Sequence, residues 1–359
     1  MDFDIAVQLI LNSIIAGGIY ALVALGYTMV YGILKFINFA HGEVFMIGAY
    51  TAYVAASKLP SETAWYFAWF LSILIVVFLY FTVPLPRTFQ LLKKYKIVYP
   101  LFIVGIAFLV AKALTYPFYY LGILQFPIWL AVLPAMLVCC LLGFCLEKIG
   151  YRPLRSKERL SLFITAIGFS IVLQALMLLI FGSEIRSFER AAEQGLSFLG
   201  ASITPTQVLI IFISILVMVL LQLFLKFTKT GKAMRAVTDN MLVANVVGIN
   251  TDKMISTVFI IGSLLAAIAG TLVGVEQNLN PSMGISVGIK AFTAAVVGGI
   301  GNIYGALWGG YAIGFAENIG IWFIPSGYKD AIAFVILIVM LLFKPTGFFG
   351  EKGEEAVRA

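Results

Sequence analysis

A chain of 359 residues with 62% hydrophobic and only 11% charged residues does not have the composition of a soluble globular protein, in which these fractions are about 45–50% and 25%. The polar intervals reach only about 20 to 30 residues, which is too short for a soluble domain of about 50 residues or more. The net charge of +7 does not indicate a nucleic-acid partner, because the basic residues lie in short loops beside apolar segments. We therefore expect a single membrane domain over 1–359.

Apolar segments recur along the whole chain, and each is long enough to be a full or partial membrane crossing. We predict an all-α fold, a polytopic transmembrane helical bundle with about 8–11 spanning or half-spanning helices. Two segments, 44–57 and 285–299, are short for a crossing of about 20 residues, so whether they span fully is left open. The segments are 5–33, 44–57, 64–83, 97–114, 126–146, 161–181, 205–225, 254–275, 285–299, 303–320 and 328–343.

The first apolar run continues to residue 34, which is far longer than the apolar region of a signal peptide. It is interpreted as a first span. One later segment contains the three cysteines, which are interpreted as small buried apolar residues and not as disulfide or metal ligands: Cys139, Cys140 and Cys145.

The distribution of the 24 lysine and arginine residues predicts the orientation. If every segment crosses and the C-terminus is inside, the N-terminus is outside, and most of these residues fall in inside loops at 87–96, 148–159, 226–253 and 344–358. Such a bias favours this orientation strongly. The loop 226–253 is therefore expected to be cytosolic.

The first break in the apolar pattern, KFINFAHGE over 35–43, contains the only histidine of the chain. Polar groups at this depth usually face a cavity, a partner or the interface, because a charge at the centre of a bilayer costs roughly 2.5–3.5 kcal/mol. Asn38, His41 and Glu43 therefore indicate a turn near the inner mouth of a pathway. A structural turn at the level of the lipid headgroups is an equally good interpretation.

Two further polar regions separate the middle segments. Residues 61–125 are predicted to form a hairpin of two spans, with no residue pattern that indicates chemistry. The loop 182–204 carries both signs of charge and is the largest outside segment. It is suited to receive a soluble extracytoplasmic partner, although a solvated loop explains the same charges.

The loop 226–253 contains signals for a short helix outside the membrane. Thr238 or Asp239 can cap the start of a helix of about eight residues, and Gly248 can end it. Such a helix would expose apolar side chains, which favour a groove on another protein: Met241, Leu242, Val246 and Val247. We interpret the loop as a docking element. A solvated basic loop that only fixes topology accounts for its lysines and arginine equally well.

Glycines crowd the segment after this loop, in KAFTAAVVGGIGNIYGALWGGYAIG. A spacing of four residues gives a flat helix face that a second helix can approach closely, so helix packing is the favoured interpretation. A tight turn whose backbone lines a cavity is the alternative. A phosphate-binding loop is rejected, because the lysine and hydroxyl that it requires are absent after these glycines. The packing glycines are Gly298, Gly299, Gly301, Gly305 and Gly309.

The sequence contains no phosphate-binding loop of its own, no metal-ligand cluster and no nucleophile beside a base, so a self-contained ATP-driven pump is excluded and no cofactor is expected in this chain. An ion-coupled secondary transporter is a weaker possibility, because Glu276, Lys290 and Glu317 are predicted near helix ends without the spacing of a relay. A purely structural membrane protein is the third class considered.

Six strings resemble the branched-chain amino-acid ABC importer permeases of the LIV type, more closely the H subunit than its M partner. The resemblance covers nearly the whole chain, because the strings recur in the same order. They are GYTMVYGILKFINFAHGEVFMIGAY (26–50), EKIGYRPLRS (147–156), TAIGFSIVLQ (165–174), TGKAMRAVTDNMLVANVVGIN (230–250), AFTAAVVGGIGNIYGA (291–306) and YKDAIAFVILIVMLLFKPTG (328–347).

The resemblance implies a multi-pass permease subunit in a bacterial inner membrane, in contact with membrane lipid. Its expected partners are a second homologous permease subunit, two cytosolic ABC ATPase subunits that carry ATP and Mg, and a periplasmic substrate-binding protein. The residues that match the family's ATPase-coupling motif are Thr230, Gly231, Lys232, Arg235, Ala236, Asp239, Ala244 and Gly248.

The resemblance also leaves alternatives open. Typical members lack the hairpin 61–125, which puts the partner or lipid surroundings of that edge in doubt. Related permeases carry urea and short amides, so leucine, isoleucine and valine are not the only solutes considered.

A zwitterion needs polar partners along its path, since burying unpaired charges is costly. We expect alternating access, in which closure of the ATPase pair tilts the helices through the loop 226–253. The candidate residues for the path are Asn38, His41, Glu43, Thr165, Gln174, Asn278 and Thr293.

Overall fold

The computed structural model of the chain describes residues 3–57, 61–82, 112, 127–155, 157–188, 195–198 and 200–350. Helices make up most of these residues. One small antiparallel hairpin, β1 (Leu196–Phe198) and β2 (Ala201–Ile203), pairs Leu196 with Ile203. The helices are α1 (Phe3–Leu34), α2 (Ala40–Ala56), α3 (Ser61–Thr82), α4 (Ile128–Leu146), α5 (Arg152–Leu154), α6 (Arg159–Phe181), α7 (Pro205–Phe227), α8 (Lys229–Asp239), α9 (Met241–Val246), α10 (Thr251–Glu276), α11 (Met283–Gly298), α12 (Ile303–Gly320) and α13 (Lys329–Phe343), with a π-helical turn at Glu147–Tyr151 and a 3-10 turn at Ser326–Tyr328.

The predicted all-α membrane fold is confirmed. Among the residues that the structure describes, seven helices are long and apolar enough to cross a membrane. Helix α3 corresponds to the first crossing of the predicted hairpin 61–125. The second predicted crossing, 97–114, lies outside the described residues apart from residue 112.

Helices α2 and α11 are too short to cross alone, because 17 and 16 residues extend only about 25 Å against a hydrocarbon core of about 30 Å. Their N-termini meet inside the bundle. A β-carbon on Gly42 would approach the Cα atom of Gly288 to 3.1 Å, and one on Gly26 of α1 would collide with the imidazole of His41. Since Gly26 lies eight residues before the end of α1, α2 begins about 12 Å inside that end of the bundle.

The core surrounds α1, α2 and α10, whose inner faces carry glycines at the points of closest approach. A β-carbon on Gly310 of α12 would meet the backbone of Ala21, and one on Gly270 of α10 would meet the backbone of Phe45. Helices can approach so closely only where side chains are absent. Helices α6, α7 and α13 lie at the periphery and leave large apolar side chains such as Leu179, Phe212 and Leu342 exposed.

The two ends of the bundle differ in charge. Lys35, Lys232 and Arg235 line one cavity at the end where α8 and α9 lie. Arg152 and Arg155 pair with Asp252 at the start of α10, which follows α9. We call this the basic end. The opposite end contains the β-hairpin and the start of α13.

Candidate functional site

The segment between α7 and α10 forms a helical hairpin outside the spans, which we call the docking segment (229–250). Its first helix, α8, is capped by the hydroxyl of Thr228, which accepts a hydrogen bond from the amide of Gly231 at 2.9 Å. A β-carbon on Gly231 would collide with the backbone of α7 at Leu225. The close approach of α8 to the end of α7 therefore requires a glycine at this position.

The second helix, α9, begins later than predicted. Thr238 and Asp239 lie at the end of α8 and do not cap α9. Asn240 caps it instead, because its side-chain oxygen accepts hydrogen bonds from the amides of Leu242 and Val243 at 3.0 Å each. The predicted length of about eight residues is therefore corrected to six.

Gly248 ends this helix, as predicted. Its φ of 88° lies in the left-handed region, which only glycine adopts without strain. The amide of Ile249 donates a hydrogen bond to the carbonyl of Ala244 at 3.0 Å, and the amide of Gly248 donates one to the carbonyl of Asn245 at 3.1 Å. This pair of bonds is a Schellman motif, and it closes the end of the helix tightly.

An apolar patch covers the outer face of α9. Leu242 is 79% exposed, Val246 87% and Val247 68%. Ala244 is buried against the bundle and anchors the helix. Apolar side chains this exposed on a short helix outside the spans are typical of a surface that another protein covers. We call Leu242, Val243, Val246 and Val247 the docking patch.

The residues that match the ATPase-coupling motif are distributed over both helices. Lys232, Arg235 and Asp239 are exposed on α8 and line a cavity of about 820 Å³ at the basic end, together with Ala236. Thr230 lies in the first turn of α8. Nothing in the chain alone tests whether these residues contact an ATPase, so their role stays a prediction.

The break between α1 and α2 is one polar region of the bundle interior. Lys35 turns the chain in a left-handed conformation with a φ of 53°. Asn38, His41 and Glu43 follow within six residues, and all three are buried. The structure therefore brings these three predicted residues together.

Glu43 has one satisfied oxygen and one open oxygen. The hydroxyl of Ser170 on α6 donates a hydrogen bond to Oε1 at 3.1 Å. No hydrogen bond from the described residues reaches Oε2, which lies against Gly284 at the start of α11. A buried carboxylate with a free oxygen is costly unless a cation or donor approaches it. Ser170 was not among the predicted site residues, although it lies in the string TAIGFSIVLQ (165–174).

The other predicted path residues are not joined to this cluster by hydrogen bonds. Thr165 and Thr293 bond to backbone carbonyls one turn earlier in their own helices, at 2.8 and 2.9 Å. Gln174 lies one turn beyond Ser170 on α6 and is half-buried. Asn278 is exposed in the loop between α10 and α11. Their place in a solute path stays a prediction.

A buried ionic network lies at the basic end and was not predicted. The carboxylate of Glu147, fully buried, pairs with Arg155 and accepts a hydrogen bond from the hydroxyl of Ser256 at 2.8 Å. Arg155 also bonds to Asp252 at 2.9 Å, and the exposed Arg152 pairs with the same carboxylate. Burial lowers the pKa of Arg155, and the two carboxylates oppose that shift.

A second buried network contains Lys290 and Glu317, which were predicted near helix ends without the spacing of a relay. Glu317 does lie in the last turn of α12, but the prediction is wrong for Lys290. Lys290 lies in the middle of α11 and pairs with Glu317 of α12 at 3.1 Å and with Asp330 of α13 at 2.6 Å. The hydroxyl of Tyr20 on α1 donates to the other oxygen of Glu317 at 2.8 Å. Partners 27 and 297 residues apart cannot be paired from spacing in one sequence.

The predicted packing glycines divide into two groups: Gly298, Gly305 and Gly309 lie in the facing helices α11 and α12, whereas Gly299 and Gly301 form the turn between them. The packing prediction is wrong for Gly301, because no atom lies within 4 Å of a β-carbon placed there. Gly299 and Gly301 adopt φ values of 105° and 100°. A β-carbon on Gly305 would collide with the carbonyl of Gly298, and one on Gly309 would collide with that of Ala294. The two helices therefore pack backbone against backbone along this stripe.

Fold and site together define a multi-pass helical membrane protein with a polar break inside its bundle and an apolar docking patch outside it. A family profile described as the permease component of a branched-chain amino acid transport system matches residues 9–341. The chain belongs to this family of permease components.

Named relatives agree with this assignment. The chain is 36% identical over 358 residues to the high-affinity branched-chain amino acid transport system permease protein BraD of Pseudomonas aeruginosa, covering 98% of this chain and 97% of that protein. It is 34% identical over 360 residues to LivH of Escherichia coli, with the same coverage. A more distant relative, the fructose import permease protein FrcC of Rhizobium meliloti, is 29% identical over 195 residues and covers 50% of this chain and 54% of that relative.

Proposed function

We propose that this chain is the membrane-spanning permease subunit of an ATP-driven importer for leucine, isoleucine and valine, in a bacterial inner membrane. The near-complete match to BraD and LivH supports the solute class. The basic end is then the cytoplasmic end, in accord with the excess of lysine and arginine in its loops.

The proposed complex contains a second permease subunit, two cytosolic ATPase subunits that bind ATP and Mg, and a periplasmic binding protein. The exposed apolar faces of α6 and α7 support a second permease subunit or lipid beside them. The predicted outside loop 182–204, which includes β1, is the proposed face for the binding protein.

The docking patch is the observation that carries the proposal. It places 79% exposed Leu242 and 87% exposed Val246 on a capped, rigid helix at the basic end. A short helix with apolar anchors fits a groove on a partner protein. We assign this groove to the ATPase subunit, so that closure of the ATPase pair moves α8 and α9.

The solute path is proposed to pass the break between α1 and α2. Glu43 offers a carboxylate oxygen without a partner among the described residues, and an α-ammonium group is the cation that an amino acid brings. Ser170 fixes the orientation of that carboxylate through its hydrogen bond. The residues Asn38, His41, Thr165, Gln174, Asn278 and Thr293 stay candidates for the remainder of the path.

Reconstitution of the complete complex in liposomes tests this function. We expect uptake of radiolabelled leucine that requires ATP and the binding protein, and that disappears when the ATPase carries an inactivating substitution. A panel with urea and short amides distinguishes the alternative solutes of the family. Uptake driven by an ion gradient without ATP would instead support a secondary transporter.

The same liposomes test the path. We expect Glu43→Gln, which keeps the size of the side chain and removes its charge, to lower leucine uptake at least about tenfold, since a charged hydrogen-bonded partner contributes about 1.5–3 kcal/mol. Glu62→Gln, at an exposed carboxylate in the first turn of α3, is the matched control and should transport normally. Unchanged uptake in Glu43→Gln would remove Glu43 from the path.

A further inference from the structure

Polar contacts and one turn of helix connect the residues that directly follow the docking segment to the break between α1 and α2. The series starts at Asp252, in the first turn of α10 directly after the docking segment, and passes through Arg155 to Glu147. Four residues after Glu147, the hydroxyl of Tyr151 donates a hydrogen bond to the side-chain oxygen of Asn38 at 2.5 Å. Asn38 and Asp252 are 113 and 97 residues away from their partners in the segment 147–155, and only the fold brings them together.

The ionic part of this series is held firmly because it is buried. The side chain of Glu147 is 0% exposed and that of Arg155 is 15% exposed. Both oxygens of Glu147 are occupied, one by Arg155 and the other by Ser256 of α10. Charges in such surroundings separate only at a high cost, so a displacement of α10 at Asp252 and Ser256 displaces the segment 147–155 as well.

Tyr151, the aromatic residue of the series, is also fixed by its buried surroundings. Residues Glu147–Tyr151 form a π-helical turn, a rare geometry that often occurs at functional sites. The turn directs Tyr151 into the core, where its ring stacks on Phe259 of α10 with centroids 5.3 Å apart and packs against Phe36 at 5.0 Å. Tyr151 is 0% exposed.

Asn38 connects the series to the solute path. Its carbonyl accepts a hydrogen bond from the amide of His41 at 3.0 Å, at the first turn of α2. Glu43 lies two residues further along the same turn. A shift of Tyr151 therefore acts on the residues that start α2 and carry the proposed ammonium site.

We infer that the segment 147–155 is the transmission element between the docking segment and the break, with Arg155 and Tyr151 as its positioning residues. Movement of the docking segment pulls on Asp252, the ionic network carries the pull to the π-helical turn, and Tyr151 repositions Asn38 and the start of α2. This inference rests on the proposed function, because it needs an ATPase that moves the docking segment.

The variant Tyr151→Phe removes one hydroxyl and keeps the stacked ring. We expect the complex to assemble and to hydrolyse ATP within about twofold of wild type, while the leucine transported per ATP falls about fivefold or more, the lower range of a typical coupling between sites. A ring that only fills the core would leave this ratio unchanged. The measurement is parallel uptake and phosphate release from the same liposomes.

A double-mutant cycle tests whether the series acts as one unit. Asp252→Asn weakens the contact with Arg155, which lies at the opposite end of the series from Asn38. Combined with Tyr151→Phe, it should lower the transport ratio no further than the more severe single variant, because two breaks in one connection are not additive. Lys157→Ala, at an exposed lysine of the same end that lies outside the segment 147–155, is the matched control and should give a normal ratio.

Each outcome decides the inference. A normal transport ratio in Tyr151→Phe, or fully additive losses in the cycle, overturns it. A proportional fall of hydrolysis and uptake, with reduced thermal stability of the complex, assigns the network to folding alone and also overturns it. Absence of leucine uptake by the wild-type complex contradicts the proposed solute instead, and ATP hydrolysis then still reports on assembly.

Discussion

The buried charged side chains of the described bundle lie opposite partners. The exception is Glu43, whose oxygen Oε2 accepts no hydrogen bond from the described residues. Lys290 illustrates the general case, because it lies between Glu317 and Asp330 on two other helices. Its stem and charge join α11, α12 and α13 at one point.

The Lys290 network predicts the stability of two variants. Lys290→Met leaves Glu317 buried with Tyr20 as its remaining close partner, so we expect a loss of about 3–5 kcal/mol in the free energy of unfolding. Adding Glu317→Gln should recover most of this loss, because the uncompensated charge is removed. Thermal unfolding of the purified chain in detergent at pH 7 measures both.

Lys329→Met is the matched control for this pair. Lys329 is only half-buried and its contact with Asn318 is long, at 3.4 Å, so the change should stay within about 1 kcal/mol. Equal losses in Lys290→Met and in the double variant would show that the packing of the lysine stem, and not charge pairing, stabilises this site.

At the scale of elements, we propose that the docking segment acts as a lever, because the starts of both its helices and the end of α9 are closed by hydrogen bonds. Thr228, Asn240 and Asn250 cap the starts of α8, α9 and α10 with side-chain hydrogen bonds. Gly248 closes the end of α9. A short helix that is capped at both ends transmits displacement without first unwinding.

This lever predicts the effect of a charge in the docking patch. Val246→Asp replaces the most exposed apolar side chain of α9 with a group that an apolar groove rejects. We expect retention of the ATPase on the permease to fall about tenfold or more, as for the loss of an interface anchor. Pull-down of the ATPase with the purified permease measures this.

Lys157→Asp serves as the charge control for this experiment. Lys157 is exposed at the same end and lies outside the docking patch, so the ATPase should be retained as in wild type. If Val246→Asp binds the ATPase normally, the docking patch is not the contact surface.

Sequence reasoning succeeded where the signal is local and failed where it is not. The stop at Gly248 was predictable, because a positive φ at a helix end selects glycine. The start of α9 was not, since Thr238, Asp239 and Asn240 are all acceptable caps and only the packing of α8 selects the third. The break between α1 and α2 was predicted from polar residues in an apolar run.

The contacts that give this break its partners are distant in sequence. Asn38 and Tyr151 are 113 residues apart, and Glu43 and Ser170 are 127 apart. Both partners lie in strings that carried the family resemblance, yet a single sequence contains no information on which of them meet. Only the tertiary fold supplies that pairing.

At the scale of the whole molecule, the architecture separates two tasks. The short helices α2 and α11 meet at their N-termini inside the bundle, where irregular backbone can line a path. The docking segment lies at the basic end, and the segment 147–155 contacts both regions. The fold thus separates the polar break inside the bundle from the docking segment outside it.

Site-specific crosslinking from the docking patch tests this account most directly. Val246→Cys labelled with benzophenone maleimide, in the assembled complex, should yield a covalent product with the ATPase subunit that changes in yield when ATP is added. Phe323→Cys, 79% exposed at the opposite end, should yield no such product. If Val246→Cys forms only lipid adducts, or no product with the ATPase, in a complex that still transports leucine, the result would contradict the account.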